Sequence, residues 1–230
     1  MIDRRQTCVL VTGFGSFPGA PVNPTLALVD RLARSRRAAL AGARVAAHVF
    51  ATRYEAVDEG LPALLTRERP DALIMFGVAI RAKQIRVELV ARNRKSILFP
   101  DAAGATAGDF AIARGGPSAQ RGRFSLPSAL AAVRRAGLGA IVSRDAGRYL
   151  CNYAYWRALE RAAQPDGPRI VLFVHVPPVR TAPRPRQATP RLHTPADLAR
   201  AGEALLLAAV AMARSQAALP ARPAPPFSGV

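Results

Sequence analysis

Short uninterrupted apolar runs recur along the chain and predict buried strands, because strands that are covered on both faces need no polar side. Residues 84–92 instead alternate apolar and polar side chains, which predicts a partly exposed strand. Strands are predicted at residues 9–12, 44–52, 72–76, 140–142 and 170–176, and those at 9–12, 72–76 and 170–176 are expected to be buried. Helices are predicted between and after them, at residues 24–36, 54–69, 127–137, 149–163 and 195–216.

Residues that favour helix starts support these assignments. Asn23 is expected to cap the first helix, with Pro24 at its first position, and Thr194 is expected to cap the last helix. Strands that alternate with helices indicate an α/β fold with a mostly parallel sheet, covered by helices on both faces. We expect one such domain over residues 1–218 and a disordered Pro/Ala-rich tail over residues 219–230.

Functional groups in such sheets gather at the carboxyl ends of the strands. The loops in question follow Gly13, Gly77, Val142 and Phe173. Residues 93–125 form a long stretch with weak periodicity, and a stretch of that length in a compact domain is expected to be functional or mobile.

The composition indicates the cellular compartment of the protein and argues against a membrane-spanning chain. Half of the 230 residues are hydrophobic, which is enough for a sizeable core, yet no apolar run is long enough to span a bilayer. Cys8 and Cys151 are the only cysteines, so the chain has no disulfide framework. These features and the lack of a signal-peptide pattern predict a cytoplasmic protein without a membrane partner.

The formal net charge of +18 raises the possibility of nucleic-acid binding. Lys83 and Lys95 are the only lysines, however, and the arginines are scattered among alanines and prolines. A nucleic-acid site more often groups its cations with aromatic residues on one face, so the pattern favours a solvated surface. The densest cluster lies in the Arg/Pro-rich loop 177–194 and comprises Arg180, Arg184, Arg186 and Arg191.

Cys151 is the most reactive candidate in the sequence. A strand and a polar turn that contains Gly147 precede it, so the cysteine is placed at the opening of the helix predicted over residues 149–163. Unpaired N–H groups and the positive end of the helix dipole favour the thiolate there. Cys151 is therefore a candidate nucleophile.

A cysteine nucleophile needs a base and a group that orients the base. His48 lies in mid-strand and His193 lies in the Arg/Pro-rich loop, so both are better explained as structural or exposed residues. His175 closes a buried strand on the same rim as Cys151. Glu88 is the best-placed orienting carboxylate, although taken alone it fits a solvated strand position better than a catalytic one.

The sequence predicts neither a metal site nor a cofactor site. No cluster of His, Cys, Asp and Glu has the spacing of metal ligands. The segment from Gly13 to Gly19 contains G-x-G but lacks the full dinucleotide-binding spacing.

Several motifs together resemble the pyroglutamyl peptidase I family (pyrrolidone-carboxylate peptidases, peptidase family C15). Residues 138–152 resemble the cysteine segment of that family, and residues 173–177 resemble its histidine segment. Residues 11–14 with Phe17 and residues 23–25 resemble its N-terminal substrate loop. Residues 123–127 resemble the segment before its middle helix, so the resemblance covers most of the chain.

The resemblance implies a three-layer α/β/α sandwich and a thiol protease that removes N-terminal pyroglutamyl residues from peptides through a thioester. Cys151 would be the nucleophile, His175 the acid and base, and Glu88 the orienting carboxylate. The substrate-binding residues implied are Phe14, Phe17 and Asn23, with no cofactor and no metal. A homo-oligomer, either a dimer or a tetramer, is also implied.

The segment around Glu88 departs from the family pattern. Arg86 stands where the family has Ser or Thr, Leu89 replaces a basic residue, and residues 80–83 read Ile-Arg-Ala-Lys. These departures keep open a diverged member that acts on or binds another acyl amide or lactam-like ligand. A basic nucleic-acid-associated protein without peptidase activity is the alternative from another class.

Overall fold

A computed structural model describes residues 6–17, 19–179 and 193–217. Its strands are β1 Thr7–Phe14, β2 Ala43–Phe50, β3 Ala72–Val78, β4 Ile85–Glu88, β5 Val90–Arg92, β6 Ala119–Arg121, β7 Ala140–Ser143 and β8 Ile170–Val176. Its helices are α1 Pro24–Ala33, α2 Arg36–Leu40, α3 Tyr54–Glu68, α4 Leu126–Arg135, α5 Leu150–Ala162 and α6 Pro195–Ala217.

Six of the strands form the central sheet, in the order β2-β1-β3-β8-β4-β7. Strand β4 runs antiparallel to β8, and the other neighbouring pairs in this sheet are parallel. Strands β5 and β6 form a separate antiparallel pair. The prediction of an α/β fold with a mostly parallel sheet is confirmed.

The sheet separates two hydrophobic cores. In β1, Val9 and Val11 pack in the core formed with α1, α4 and α6, while Leu10 and Phe14 pack in the core formed with α3 and α5. Successive side chains of a strand point to opposite faces, so an uninterrupted apolar run supplies both cores. Burial of a Val, Leu or Phe side chain stabilises the folded state by about 1.5–3 kcal/mol relative to leaving the side chain exposed. The arrangement is a three-layer α/β/α sandwich.

The helix starts follow the sequence prediction, whereas the end of the first helix does not. The side chain of Asn23 caps α1, and Thr194 accepts a hydrogen bond from the backbone N–H of Asp197 at 3.1 Å at the start of α6. The single helix predicted over residues 24–36 was wrong. Ser35 caps a second helix, α2, because its hydroxyl accepts a backbone hydrogen bond from the next turn.

Residues 84–92 do not form the single, partly exposed strand that their alternation predicted. The segment is divided at Leu89, where the chain leaves the central sheet and begins the pairing of β5 with β6. The backbone of Leu89 donates to Ser143 O at 2.7 Å and accepts from Gly122 N at 2.9 Å. Strand β4 lies between two neighbours, so Glu88 is fully buried rather than solvated.

Strand β7, which was predicted from the apolar run at residues 140–142, is only partly buried. It lies at the edge of the sheet, and Ile141 and Val142 are 46% and 40% exposed. An edge strand has a neighbour on one side only, so an apolar run does not by itself guarantee burial.

The long segment 93–125 is anchored in the structure beside the turn that precedes α5. Asn93 Oδ1 accepts backbone hydrogen bonds from Ile112 and Ala113, both at 2.9 Å. The hydroxyl of Tyr149 donates to Pro100 O at 3.1 Å. These contacts bring the segment against the start of the cysteine helix.

Two predictions concern residues outside those that the structure describes. The tail over residues 219–230 lies beyond the described part of the chain, so the domain limits of 1–218 stay a prediction. The cluster of Arg180, Arg184, Arg186 and Arg191 also lies outside it. Among the described helices, none is long and apolar enough to cross a bilayer.

Candidate active site

The predicted rim of the sheet surrounds a small cavity. The carboxyl ends of β1, β3 and β8 meet there with the first residues of β4, which reaches the same edge because it is antiparallel. The cavity has a volume of about 240 Å³. It is lined by Phe14, Phe17, Asn23, Thr52, Val78, Ala79, Arg86, Asp145, Ala146, Gly147, Tyr149, Leu150, Cys151 and His175.

His175 and Glu88 form a buried pair at this cavity. His175 Nδ1 lies 2.8 Å from Glu88 Oε1, so the ring N–H donates to the carboxylate and Nε2 is left to face Cys151. His175 is only 6% exposed and Glu88 is fully buried. The second carboxylate oxygen, Oε2, has no hydrogen-bond partner among the described residues. The carboxylate therefore fixes the tautomer and the orientation of the imidazole.

The surroundings of His175 favour its charged form. Burial lowers the pKa of His175, but the charge and the hydrogen bond of Cys151, followed by those of Glu88, outweigh burial and raise the pKa to about 9. An imidazolium at neutral pH is the partner that a thiolate requires.

A polar turn presents Cys151 to the cavity. Asp145 Oδ1 accepts the Gly147 N–H at 3.0 Å, and Gly147 has a φ of 88°, in the left-handed region that glycine occupies without strain. Helix α5 begins directly after this turn, at Leu150. Tyr149 precedes the helix without a side-chain cap, so the N–H groups of the first turn lack side-chain acceptors from the cap position. An oxygen that gains negative charge near Cys151 can accept them.

The sulfur of Cys151 rests against the backbone of Gly77. A methyl group added to Gly77 would lie 2.7 Å from Cys151 Sγ and 3.0 Å from Phe173 Cζ. Any side chain at position 77 would therefore displace the sulfur or the aromatic ring. Glycine is therefore required at position 77, near the end of β3, because the thiol of Cys151 on α5 packs against its backbone.

Gly77→Ala is expected to slow alkylation of Cys151 by iodoacetamide, because a displaced sulfur loses its hydrogen bond to His175 and part of its thiolate character. Overpacking of this kind also costs about 1–3 kcal/mol of stability. The measurements are the alkylation rate by mass spectrometry and the Tm. Gly108→Ala is the control, since a methyl group there meets no atom within 4 Å. An alkylation rate equal to that of Gly108→Ala would contradict the packing argument.

The three predicted substrate-binding residues all line the cavity. Phe14 packs against Phe50 with ring centroids 6.0 Å apart, and Phe17 lies 6.3 Å from the ring of Tyr149. The amide of Asn23 is occupied by the protein, because Nδ2 donates to Gly15 O at 2.9 Å and Oδ1 caps α1. The two aromatic rings therefore offer apolar walls. Asn23 has little hydrogen-bonding capacity left for a ligand, because both ends of its amide are bonded within the protein.

The structure adds two residues of α5 that the sequence analysis did not single out. The Tyr155 hydroxyl donates to Glu88 O at 3.0 Å, and burial raises the pKa of this phenol, which keeps it a donor. Asn152 donates to Arg92 O and Arg94 O, both at 2.8 Å, and so ties the segment after β5 to the cysteine helix. Tyr155 follows Cys151 by four residues, a helical spacing that would have placed both on one face.

The other two histidines lie away from the cavity. His48, in β2, packs edge-on against Phe50 at 4.6 Å, and burial followed by the charge of Arg67 lowers its pKa. His193 Nε2 lies 3.0 Å from Lys83 O and the residue is half-buried rather than exposed. Within the described residues, no group of three or more His, Cys, Asp or Glu side chains has an arrangement that could hold a metal ion.

Comparison with known proteins places this geometry in a family. Residues 7–214 match the family model described as pyroglutamyl peptidase. The pyrrolidone-carboxylate peptidase of Thermococcus onnurineus is 34% identical over 184 residues, which cover 78% of this chain and 90% of the relative. That of Cupriavidus necator is 33% identical over 212 residues, or 90% of this chain and 96% of the relative. A mutant pyrrolidone carboxyl peptidase from Pyrococcus furiosus superimposes with a TM-score of 0.80 at 26% identity, covering 90% of this chain and all of that structure (100%).

Proposed function

The chain belongs to the pyroglutamyl peptidase family, and we propose that it is a cysteine peptidase that removes N-terminal pyroglutamyl (5-oxoproline) residues from peptides. The observation that carries the proposal is the contiguous arrangement of Glu88, His175 and Cys151 beside a small cavity with aromatic walls. A nucleophile, a base and an orienting carboxylate are the groups that acyl transfer requires.

In the first half of the proposed reaction, the Cys151 thiolate attacks the carbonyl carbon that links pyroglutamate to the next residue. The carbonyl oxygen becomes an oxyanion, which accepts hydrogen bonds from N–H groups in the first turn of α5. The C–N bond then breaks, and the departing amine takes the proton of His175 Nε2. The products of this half are the shortened peptide and a thioester on Cys151.

In the second half, neutral His175 accepts a proton from water as the water oxygen adds to the thioester carbonyl. Collapse of this intermediate breaks the C–S bond and releases pyroglutamic acid. The thiolate and the imidazolium are then restored together. In both halves Glu88 Oε1 accepts the hydrogen bond from Nδ1 and so holds the imidazole in one orientation.

The cavity suits the pyroglutamyl group. The lactam ring is small and uncharged, so it needs apolar walls and few hydrogen bonds. Phe14 and Phe17 supply the walls, and a volume of about 240 Å³ is sufficient for a five-membered ring.

Turnover of a fluorogenic pyroglutamyl amide tests the proposed function. The wild-type protein is expected to release the fluorophore from this compound and not from the matching prolyl amide, which lacks the lactam carbonyl and carries a charged nitrogen. Iodoacetamide is expected to abolish release with a single alkylation at Cys151, because Cys8 is buried. Absence of turnover by well-folded protein would overturn the proposal.

Two further predictions concern assembly and location. A homo-oligomer, either a dimer or a tetramer, and a cytoplasmic location stay predictions. Size-exclusion chromatography with light scattering tests the first, and fractionation of cells that express the protein tests the second.

A further inference from the structure

Arg86 introduces a cation into a cavity whose walls are otherwise mainly apolar. The residue lines the cavity and is half-buried. Within the part of the chain that the structure describes, no carboxylate pairs with its guanidinium and no hydrogen bond occupies it. A half-buried guanidinium that has no partner among the described residues is available to donate to an anionic ligand, because partial burial strengthens its charge interactions.

The position of Arg86 follows from the direction of β4. Because β4 is antiparallel to β8, Arg86, the second residue of the strand, lies near the rim of the sheet and directly across from His175. Glu88 follows two residues later, on the same face of the strand. Arg86 therefore lies beside His175, the proposed acid and base, but outside the hydrogen-bonded relay of Glu88, His175 and Cys151.

The strand order sets the direction in which a substrate lies. Phe14 ends β1, two strands from His175 on one side, whereas Arg86 is on β4, the adjacent strand on the other side. If the lactam ring occupies the aromatic end, the scissile bond lies at Cys151 and His175. The amine that receives the proton of His175 then points towards Arg86.

Asp145 is another charged residue of the cavity lining. Its negative charge is already compensated by neighbouring groups. Its carboxylate accepts from Arg94 at 3.1 Å and from the Gly147 N–H at 3.0 Å, and its side chain is 59% exposed. Asp145 therefore opposes an incoming anion only weakly, and Arg86 sets the local charge preference.

We propose that Arg86 is a specificity-determining residue that binds a carboxylate on the leaving part of the substrate. The carboxylate belongs either to an acidic side chain directly after pyroglutamate or to the free C-terminus of a pyroglutamyl dipeptide. This inference rests on the proposed function, because it assumes that the pyroglutamyl group occupies the aromatic end of the cavity.

Two matched substrate pairs test this inference. Pyroglutamyl-glutamate amide against pyroglutamyl-glutamine amide isolates the side-chain carboxylate. Pyroglutamyl-alanine against pyroglutamyl-alanine amide isolates the terminal carboxylate. A charged hydrogen bond favours the acidic member of at least one pair by about tenfold in kcat/KM. The pair that shows the preference identifies the source of the carboxylate.

Variants at position 86 assign the preference to this residue. Arg86→Gln is expected to bring the ratio of kcat/KM values close to one, while Arg86→Lys keeps part of the preference because it keeps the charge. The ratio is independent of the folded fraction, so a loss of stability does not obscure it. Arg81→Gln is the matched control, because Arg81 is exposed in the same segment and lies outside the cavity lining.

The possible outcomes separate this inference from the proposed function. Ratios near one for both pairs in the wild type, or a preference that survives Arg86→Gln, would overturn the role of Arg86 and leave the peptidase function intact. Failure of the wild type to cleave any of the four compounds would overturn both. A preference that is lost in Arg86→Gln and retained in Arg81→Gln supports the proposal.

Discussion

Replacement of Cys151 by alanine is expected to lower kcat/KM for a pyroglutamyl amide by about three orders of magnitude or more. No other described side chain of the cavity lining is a thiol, so the variant has no substitute nucleophile. Residual rate from the oxyanion donors and the binding pocket is not expected to compensate, because the thioester route is lost. Fluorogenic turnover measures the effect.

Cys8→Ala is the matched control for this prediction. Cys8 lies in β1 and is buried away from the cavity lining, so its replacement is expected to leave kcat/KM within about a factor of two while lowering stability slightly. Circular dichroism and a thermal melt verify that both variants are folded. Retention of a tenth or more of the wild-type kcat/KM by Cys151→Ala would show that Cys151 is not the nucleophile.

Glu88→Gln is expected to lower kcat by about two to four orders of magnitude. Glutamine has the shape of glutamate, but its neutral amide does not stabilise the imidazolium and can also hold the ring in the wrong tautomer. Glu88 is fully buried and bonded to His175 Nδ1, so neither water nor an ion from solution can replace its carboxylate in the variant. Glu59→Gln is the control, since Glu59 is an exposed residue of α3.

The pH profile distinguishes loss of the charge from a merely structural effect. The pKa of His175 is raised from 6.5 to about 9, so the imidazolium is present below this value and is lost as pH rises through about 9. The wild-type rate is therefore expected to fall on the alkaline side near that pH. Glu88→Gln removes one cause of the increase, so its alkaline limb is expected at lower pH.

The same shift bears on stability. A raised pKa of His175 in the folded state means that its interactions with its neighbours contribute stability that is fully present below about pH 6.5 and is lost as pH rises through about 9.

In the pH profile of activity, an alkaline limb that does not move in Glu88→Gln would contradict the assignment of Glu88 as the orienting charge, even if kcat falls.

The sequence predicted the parts of the site that depend on neighbouring residues. The polar turn with Gly147 and a helix start beside Cys151 were expected, because turn residues and helix starts are coded locally; the helix was predicted from Tyr149 and begins at Leu150. His175 was expected at the end of a buried strand for the same reason. The parallel order of most strands followed from their alternation with helices.

The parts that were wrong depend on contacts between distant segments. Alternation over residues 84–92 predicted partial exposure, but β8 and β7 flank β4 and bury Glu88. Ile141 and Val142 belong to an apolar run, yet both are exposed because no strand among the described residues covers the far side of β7. Periodicity reports the polarity of a segment and not the number of neighbours that it acquires.

The sequence by itself determined that Cys151 would stand at a helix opening and His175 at a strand end, because local turn chemistry and strand length decide both. Only the tertiary structure decided that β4 runs against β8, since strand direction is set by pairing with residues more than eighty positions away. That reversal brings Glu88 to the imidazole and Arg86 to the rim. The relay and the charge beside it are therefore products of long-range packing.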